Sequence, residues 1–139
     1  MAAADYPHLL EIPTRWGDND IYGHVNNVQH YAFFDTIINA YLIEQGGLDI
    51  HGGAAIGLCV ESHCRYTAPI AFPDLIVAGM RVAQLGTSSV KYEIGLFTDR
   101  AADSVAEGWF VHVFVDRESR KPVPIPDGVR AALTALQGG

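Results

Sequence analysis

The residues best placed to do chemistry lie in one polar stretch, RWGDNDIYGHVNN, at positions 15–27. Two carboxylates, Asp18 and Asp20, stand a few residues ahead of a segment with helical periodicity. A helix N-terminus presents backbone N–H groups with no intrahelical acceptor, together with the positive end of the helix dipole. Such a place suits a developing oxyanion. A carboxylate beside it supplies a general base or a nucleophile, and the dipole helps to keep that carboxylate ionised at neutral pH. The same residues also admit a purely structural role. Asp18 and Asp20 can shape the turn by side-chain to backbone hydrogen bonds, Gly23 can supply a positive φ, and Asn26 can cap the helix. Residue types and spacing leave both roles open.

Other chemistries find little support. The chain has no G-x-S-x-G elbow, no P-loop and no G-x-G-x-x-G. Its histidines, His8, His24, His30, His51, His63 and His112, form no H-x-x-x-H or H-E-x-x-H pair, and the cysteines lack metal-finger spacing. Neither a metal nor a cofactor is expected. Cys59 and Cys64, five positions apart in one predicted strand, are expected on opposite faces, unable to bridge, as reduced thiols of a cytoplasmic protein. With 9 Lys+Arg against 16 Asp+Glu the net charge is −7. That balance argues against nucleic acid or an anionic membrane as the main partner. No basic segment leads into a long apolar run, so neither an export signal nor a membrane span is expected.

The elements that must position these residues follow from periodicity. With 139 residues, 49% hydrophobic and 18% charged, the chain reads as one globular domain over 1–139. Residues 8–16 read as a short strand weakened by Pro13, and residues 17–26 as a loop. From 27 to 45 the apolar positions Val28, Tyr31, Phe34, Ile37, Ile38, Tyr41 and Leu42 recur at helical spacing, with Asn26 as N-cap and Gly46-Gly47 as the stop. The pattern then changes to strands over 54–66, 75–85, 89–98 and 105–115, and ends in a short helix over 126–136. Short turns between the later strands predict antiparallel neighbours. The fold class is therefore α+β: one long helix against a five-stranded, mostly antiparallel sheet. Its edges call for a partner, and a second copy is the simplest one.

The string RWGDNDIYGHVNNVQHYAFFD closely resembles the signature of the 4-hydroxybenzoyl-CoA thioesterase-like branch of the hotdog-fold acyl-CoA thioesterases. In that branch an aromatic-x-D-x-D-x-x-G-H-V-N-N pattern precedes the long central helix. The later stretch CRYTAPIAFPDLIVAGMRVAQLGTSSVKYEIGLF is similar to the family's strand-turn-strand region, and together the two cover most of residues 12–115. The resemblance implies a hotdog fold, with the sheet wrapped around the helix, and hydrolysis of an acyl-CoA thioester without cofactor or metal. It assigns Asp20 as the catalytic carboxylate, either base or nucleophile, and the backbone N–H near Asn27 as the oxyanion donor.

Gly23, His24 and Asn26 match motif positions that order the loop or touch substrate, and Asp18 is the competing carboxylate, expected to make a turn-stabilising hydrogen bond or a salt bridge to Arg15. Arg65, Arg81, Lys91 and Arg100 are candidates for the CoA phosphates, since an anionic protein needs a local cationic patch. Ser88 and Ser89 are candidates to meet the pantetheine arm. The family builds its sites between subunits, which implies a homodimer or a homotetramer. Two other readings are a hotdog hydratase or dehydratase, and a non-catalytic acyl-CoA binding protein. The acyl specificity, and the choice between CoA and acyl carrier protein, are not legible.

Overall fold

In the computed structural model, which describes residues 2–137, the long helix α1 (Asn27–Glu44) forms where its caps predict. The Asn26 side chain accepts the Val28 N–H at 3.0 Å. At the other end Gln45 and Gly46 donate to the Tyr41 carbonyl, and Gly47 turns the chain away at φ 67°. The buried face is His30, Phe33, Phe34, Ile37, Ile38, Tyr41 and Leu42. Val28 departs from the expected stripe and is 62% exposed. The wheel explains it: at ~100° per residue, positions 30, 34, 37 and 41 fall within about 60° of one another, whereas 28 lies on the far side.

Five strands form one sheet in the order β1-β3-β4-β5-β2. They are β1 (His8–Pro13), β2 (Ala55–Tyr66), β3 (Leu75–Leu85), β4 (Ser89–Phe97) and β5 (Ala106–Asp116). Every neighbouring pair is antiparallel. The first strand stops at Pro13, and residues Trp16–Asp18 form a 3-10 turn instead. Helix α2 (Asp127–Thr134) closes the chain, burying Val129 and Leu133.

The sheet wraps α1 through Ile76, Ala78, Met80, Tyr92, Ile94, Leu96, Phe110 and Phe114 on its inner face, which is the hotdog arrangement. A close approach needs Gly108: a Cβ there would collide with the Phe34 ring of α1 and the His63 carbonyl. On the outer face, Tyr6 lies over Gly79 and Gly95, whose missing side chains make room for its ring.

One expectation fails for a clear reason. The β2–β5 register slips between Cys59 and Glu61, leaving Val60 as an extra residue. Cys59 pairs opposite His112 and Cys64 opposite Gly108, and both partners face the helix, so the bulge puts the two cysteines on the same face. Strict alternation had put them on opposite faces. Both thiols are free, Cys59 exposed and Cys64 buried. The sheet edges are β1 and β2, and β2 leaves Val60 60% exposed.

Candidate active site

Residues 18–26 fold into a small hairpin that leads into α1. The Asn26 N–H donates to the Asp18 carbonyl at 2.9 Å, the Asp20 N–H to the His24 carbonyl at 2.9 Å, and the Gly23 N–H to the Asp20 carbonyl at 3.1 Å. Gly23 turns the tip at φ 84°, a conformation that favours glycine. The hairpin docks on the β2–β3 connection, where the Val25 N–H meets the Ile70 carbonyl at 2.6 Å and the Asn19 side chain accepts the Phe72 N–H at 3.1 Å. Asp20 therefore sits about 7 Å along the ladder from the pair that launches the helix.

The two carboxylates have different environments. Asp18 is 1% exposed. It accepts the Arg15 backbone N–H at 2.8 Å and two guanidinium bonds, from Nε at 3.1 Å and the terminal nitrogen at 2.8 Å. Its capacity is spent on the loop, as the expected pairing with Arg15 requires. Asp20 is only half-buried; its Oδ1 accepts the Tyr22 N–H at 2.9 Å. It lines a hollow of about 430 Å³ with Trp16, Asn19, Ile21 and Gly23.

The start of α1 can be accounted for donor by donor. The Asn26 N–H goes to Asp18, the Val28 N–H to the Asn26 side chain, and the Gln29 N–H to the Asn26 carbonyl at 2.9 Å. Among the described residues, that of Asn27 is the one N–H from 26 to 29 with no acceptor. A single free donor at the positive end of an 18-residue helix is therefore available to an anion. Asn27 lines a second cavity, of about 380 Å³, with Val25, His30, Tyr66 and Ile70. The returning limb of the hairpin contributes to both, Gly23 to the first space and Val25 to the second.

The family model of the thioesterase-like superfamily matches residues 14–133. The chain belongs to that superfamily. Among solved structures, the PA5185 protein from Pseudomonas aeruginosa strain PAO1 is 60% identical and superposes with a TM-score of 0.94, over 97% of this chain and 94% of its own. The PA2801 protein from Pseudomonas aeruginosa is 33% identical with a TM-score of 0.85, over 92% of this chain and 98% of its own. Slr0204, a 1,4-dihydroxy-2-naphthoyl-CoA thioesterase from Synechocystis, shares 18% identity and the fold, with a TM-score of 0.83 over 94% and 98% of the two chains. A search of curated protein sequences finds no match.

In this member of the thioesterase-like superfamily, the remaining candidate residues are spread unevenly. Asn26 and Gly23 shape the hairpin, and His24 is exposed beside them. Arg65 projects to the outer face, in a cleft with His63, Glu107 and Trp109. Arg81 is paired with Glu93 at 2.6 Å, Arg100 with Asp74 at 2.9 Å, and Lys91 lies 4.7 Å over the Trp109 ring. Ser88 and Ser89 lie at the opposite end of β3, whose eleven residues span about 35 Å. One chain therefore does not bring these serines to Asp20. Among the described residues no group of three or more His, Cys, Asp or Glu side chains is placed to hold a metal ion, and no helix is long and apolar enough to cross a membrane.

Two residues at the site escaped the sequence reading. The Tyr66 hydroxyl donates to the Asn27 carbonyl at 3.0 Å, and His30 packs edge-on against Tyr66 with ring centres 4.7 Å apart. The only signal for His30 was a polar residue at the N-terminal end of the buried helical face.

Proposed function

We propose that this protein hydrolyses an acyl-CoA thioester to the free acid and CoA, with Asp20 as general base or nucleophile and the Asn27 backbone N–H as oxyanion donor. The observation that carries the reading is the division between the carboxylates. Asp18 is buried with both oxygens hydrogen-bonded to Arg15, while Asp20 faces a hollow beside a helix start that keeps one unused N–H. Membership in the thioesterase-like superfamily supports the reaction class.

Two routes fit this arrangement. In one, Asp20 takes a proton from water as its oxygen attacks the thioester carbon; the oxyanion forms against the Asn27 N–H, and collapse expels the CoA thiolate. In the other, the Asp20 carboxylate attacks directly, CoA leaves, and water hydrolyses the mixed anhydride. Either route needs the substrate carbonyl within reach of both Asp20 and the Asn27 N–H, at the two ends of the limb formed by residues 20–27.

A second copy of the chain is proposed to cover that limb. The Asp20 loop leaves Trp16 79%, Ile21 93% and Tyr22 82% exposed, and the long β2 edge is unpaired. Large apolar side chains left exposed beside a reactive group are the surface a partner would bury. Pairing of β2 edges in a two-fold dimer, or in a dimer of dimers, removes the open edge and offers a route for the partner's Ser88, Ser89 and Arg65 to reach the CoA arm. The test is thiol release from a panel of short, long and aromatic acyl-CoAs, followed with a chromogenic disulfide reagent. Turnover of at least one substrate supports the reading. Saturable binding without release would support a non-catalytic acyl-CoA binder instead.

A further inference from the structure

The Asn27 N–H can meet an oxyanion only if the first turn of α1 is held in place, and helix ends fray unless something holds them. Asn27 is exposed and Val28 is 62% exposed, so core packing does little there. The Asn26 cap is a local bond to Val28, two residues on, and does not reach the sheet. A bond to the sheet comes from Tyr66, the last residue of β2, whose hydroxyl donates to the Asn27 carbonyl at 3.0 Å. The strand end beneath it is secured: Tyr66 pairs opposite Ala106, and the N–H groups of Thr67 and Ala68 both donate to the Val105 carbonyl, at 3.0 and 3.1 Å. The buried His30 ring stands edge-on to Tyr66, with centres 4.7 Å apart, and limits where the phenol can swing. Burial, with Cys64 and Tyr31 beside it, raises the Tyr66 pKa, so the hydroxyl keeps its proton and stays a donor.

We infer that Tyr66 is a positioning residue for the reaction: by holding the Asn27 carbonyl it steadies the first turn of α1 and aims the Asn27 N–H at the forming oxyanion. The inference rests on the acyl-CoA reading above. An oxyanion donor contributes most when it already points at the place where charge develops, and small displacements of such a group are costly in rate. The same bond matters little for the fold. Tyr66 is 42% exposed, so water takes the place of the hydroxyl at the Asn27 carbonyl when it is removed. Rate and stability are therefore separable at this residue.

The test is steady-state thiol release from the best acyl-CoA of the panel by wild type, Tyr66→Phe, Asn27→Pro and the double variant, with thermal melting of each. Tyr66→Phe is expected to lower kcat about tenfold with KM within twofold of wild type and little change in melting. In the Asn27→Pro background it is expected to lower kcat no further, because the donor that Tyr66 aims is already gone; a bond that merely supports the fold gives no such coupling. An unchanged kcat, a loss confined to KM, or the same factor lost in both backgrounds overturns the inference while leaving thioester hydrolysis standing. So does a Tyr66→Phe protein that fails to fold, which would assign the hydroxyl to stability. Failure of wild type to turn over any substrate of the panel contradicts the acyl-CoA reading instead. The positioning is then judged by backbone ¹³Cα shifts: movement of residues 27–29 toward coil values in Tyr66→Phe sustains it, and unchanged shifts overturn it.

Discussion

Asn27→Pro removes the backbone N–H at the start of α1 together with the side-chain amide, and Asn27→Ala removes the amide alone. Asn27 is the first residue of α1, where proline is favoured because that N–H has no intrahelical acceptor. The residue before a proline must be extended, and Asn26 already is, at φ −59° and ψ 137°. No hydrogen bond of the fold is lost, since the Asn27 N–H makes none and its carbonyl still accepts from Tyr66. Stability is expected to hold or to rise by about 0.4–1 kcal/mol, because proline restricts the unfolded chain. Catalysis is expected to fall. Loss of one oxyanion donor typically costs about 10²–10³ in kcat, or roughly 2.7–4 kcal/mol of barrier. The control is Asn27→Ala, which keeps the N–H and is expected to stay within a few-fold of wild type. The assay is kcat for thiol release on the best acyl-CoA, alongside circular dichroism melting. A folded Asn27→Pro protein with a wild-type rate refutes the oxyanion assignment; so does Asn27→Ala falling as far as Asn27→Pro, which would move the role to the side chain.

Two further outcomes follow from the buried polar groups. Asp18→Ala strands the Arg15 backbone N–H, while the guanidinium, 74% exposed, returns to water; the expected loss is about 1–3 kcal/mol in a urea titration, and no change would show that Asp18 does not hold the loop. His112, 3% exposed and bonded to Tyr92 at 3.1 Å, has its pKa pushed down to about 4 by burial. Because that folded pKa lies below the unfolded ~6.5, the unfolded chain binds the extra proton, so His112 leaves stability intact above about pH 6.5 and reduces it as pH falls toward 4. The full loss is about 3 kcal/mol, and an imidazole NMR titration of the folded protein with a midpoint near 6.5 would contradict it.

Local rules carried much of the fold. The Asn26 cap, the glycines after α1 and the turns between β3, β4 and β5 each act within a few residues, so they are legible without knowing what lies across the core. What they miss is set by packing. The bulge at Val60 adds one residue to β2 because of its pairing with β5, and nothing in the local alternation of the strand announces it. Burial of His30 and exposure of Val28 depend on which side of α1 the sheet covers. For the site, the motif identified the hairpin and its carboxylates. The pairing of Asp18 with Arg15 was legible too, three residues apart in one turn, but not that Tyr66 and His30 come together at the start of α1. That is a matter of distance, and distances are written in the packing.

The central claim is that Asp20 carries the chemistry. Its most direct test is single-turnover hydrolysis of a turned-over acyl-CoA by wild type, Asp20→Asn and Asp18→Asn, with affinity measured separately by calorimetry. The account predicts that Asp20→Asn binds the substrate with near wild-type affinity but reacts about 10²–10⁴-fold more slowly, while Asp18→Asn, if folded, slows only a few-fold. Equal rates for wild type and Asp20→Asn, or a larger loss in Asp18→Asn, would contradict it.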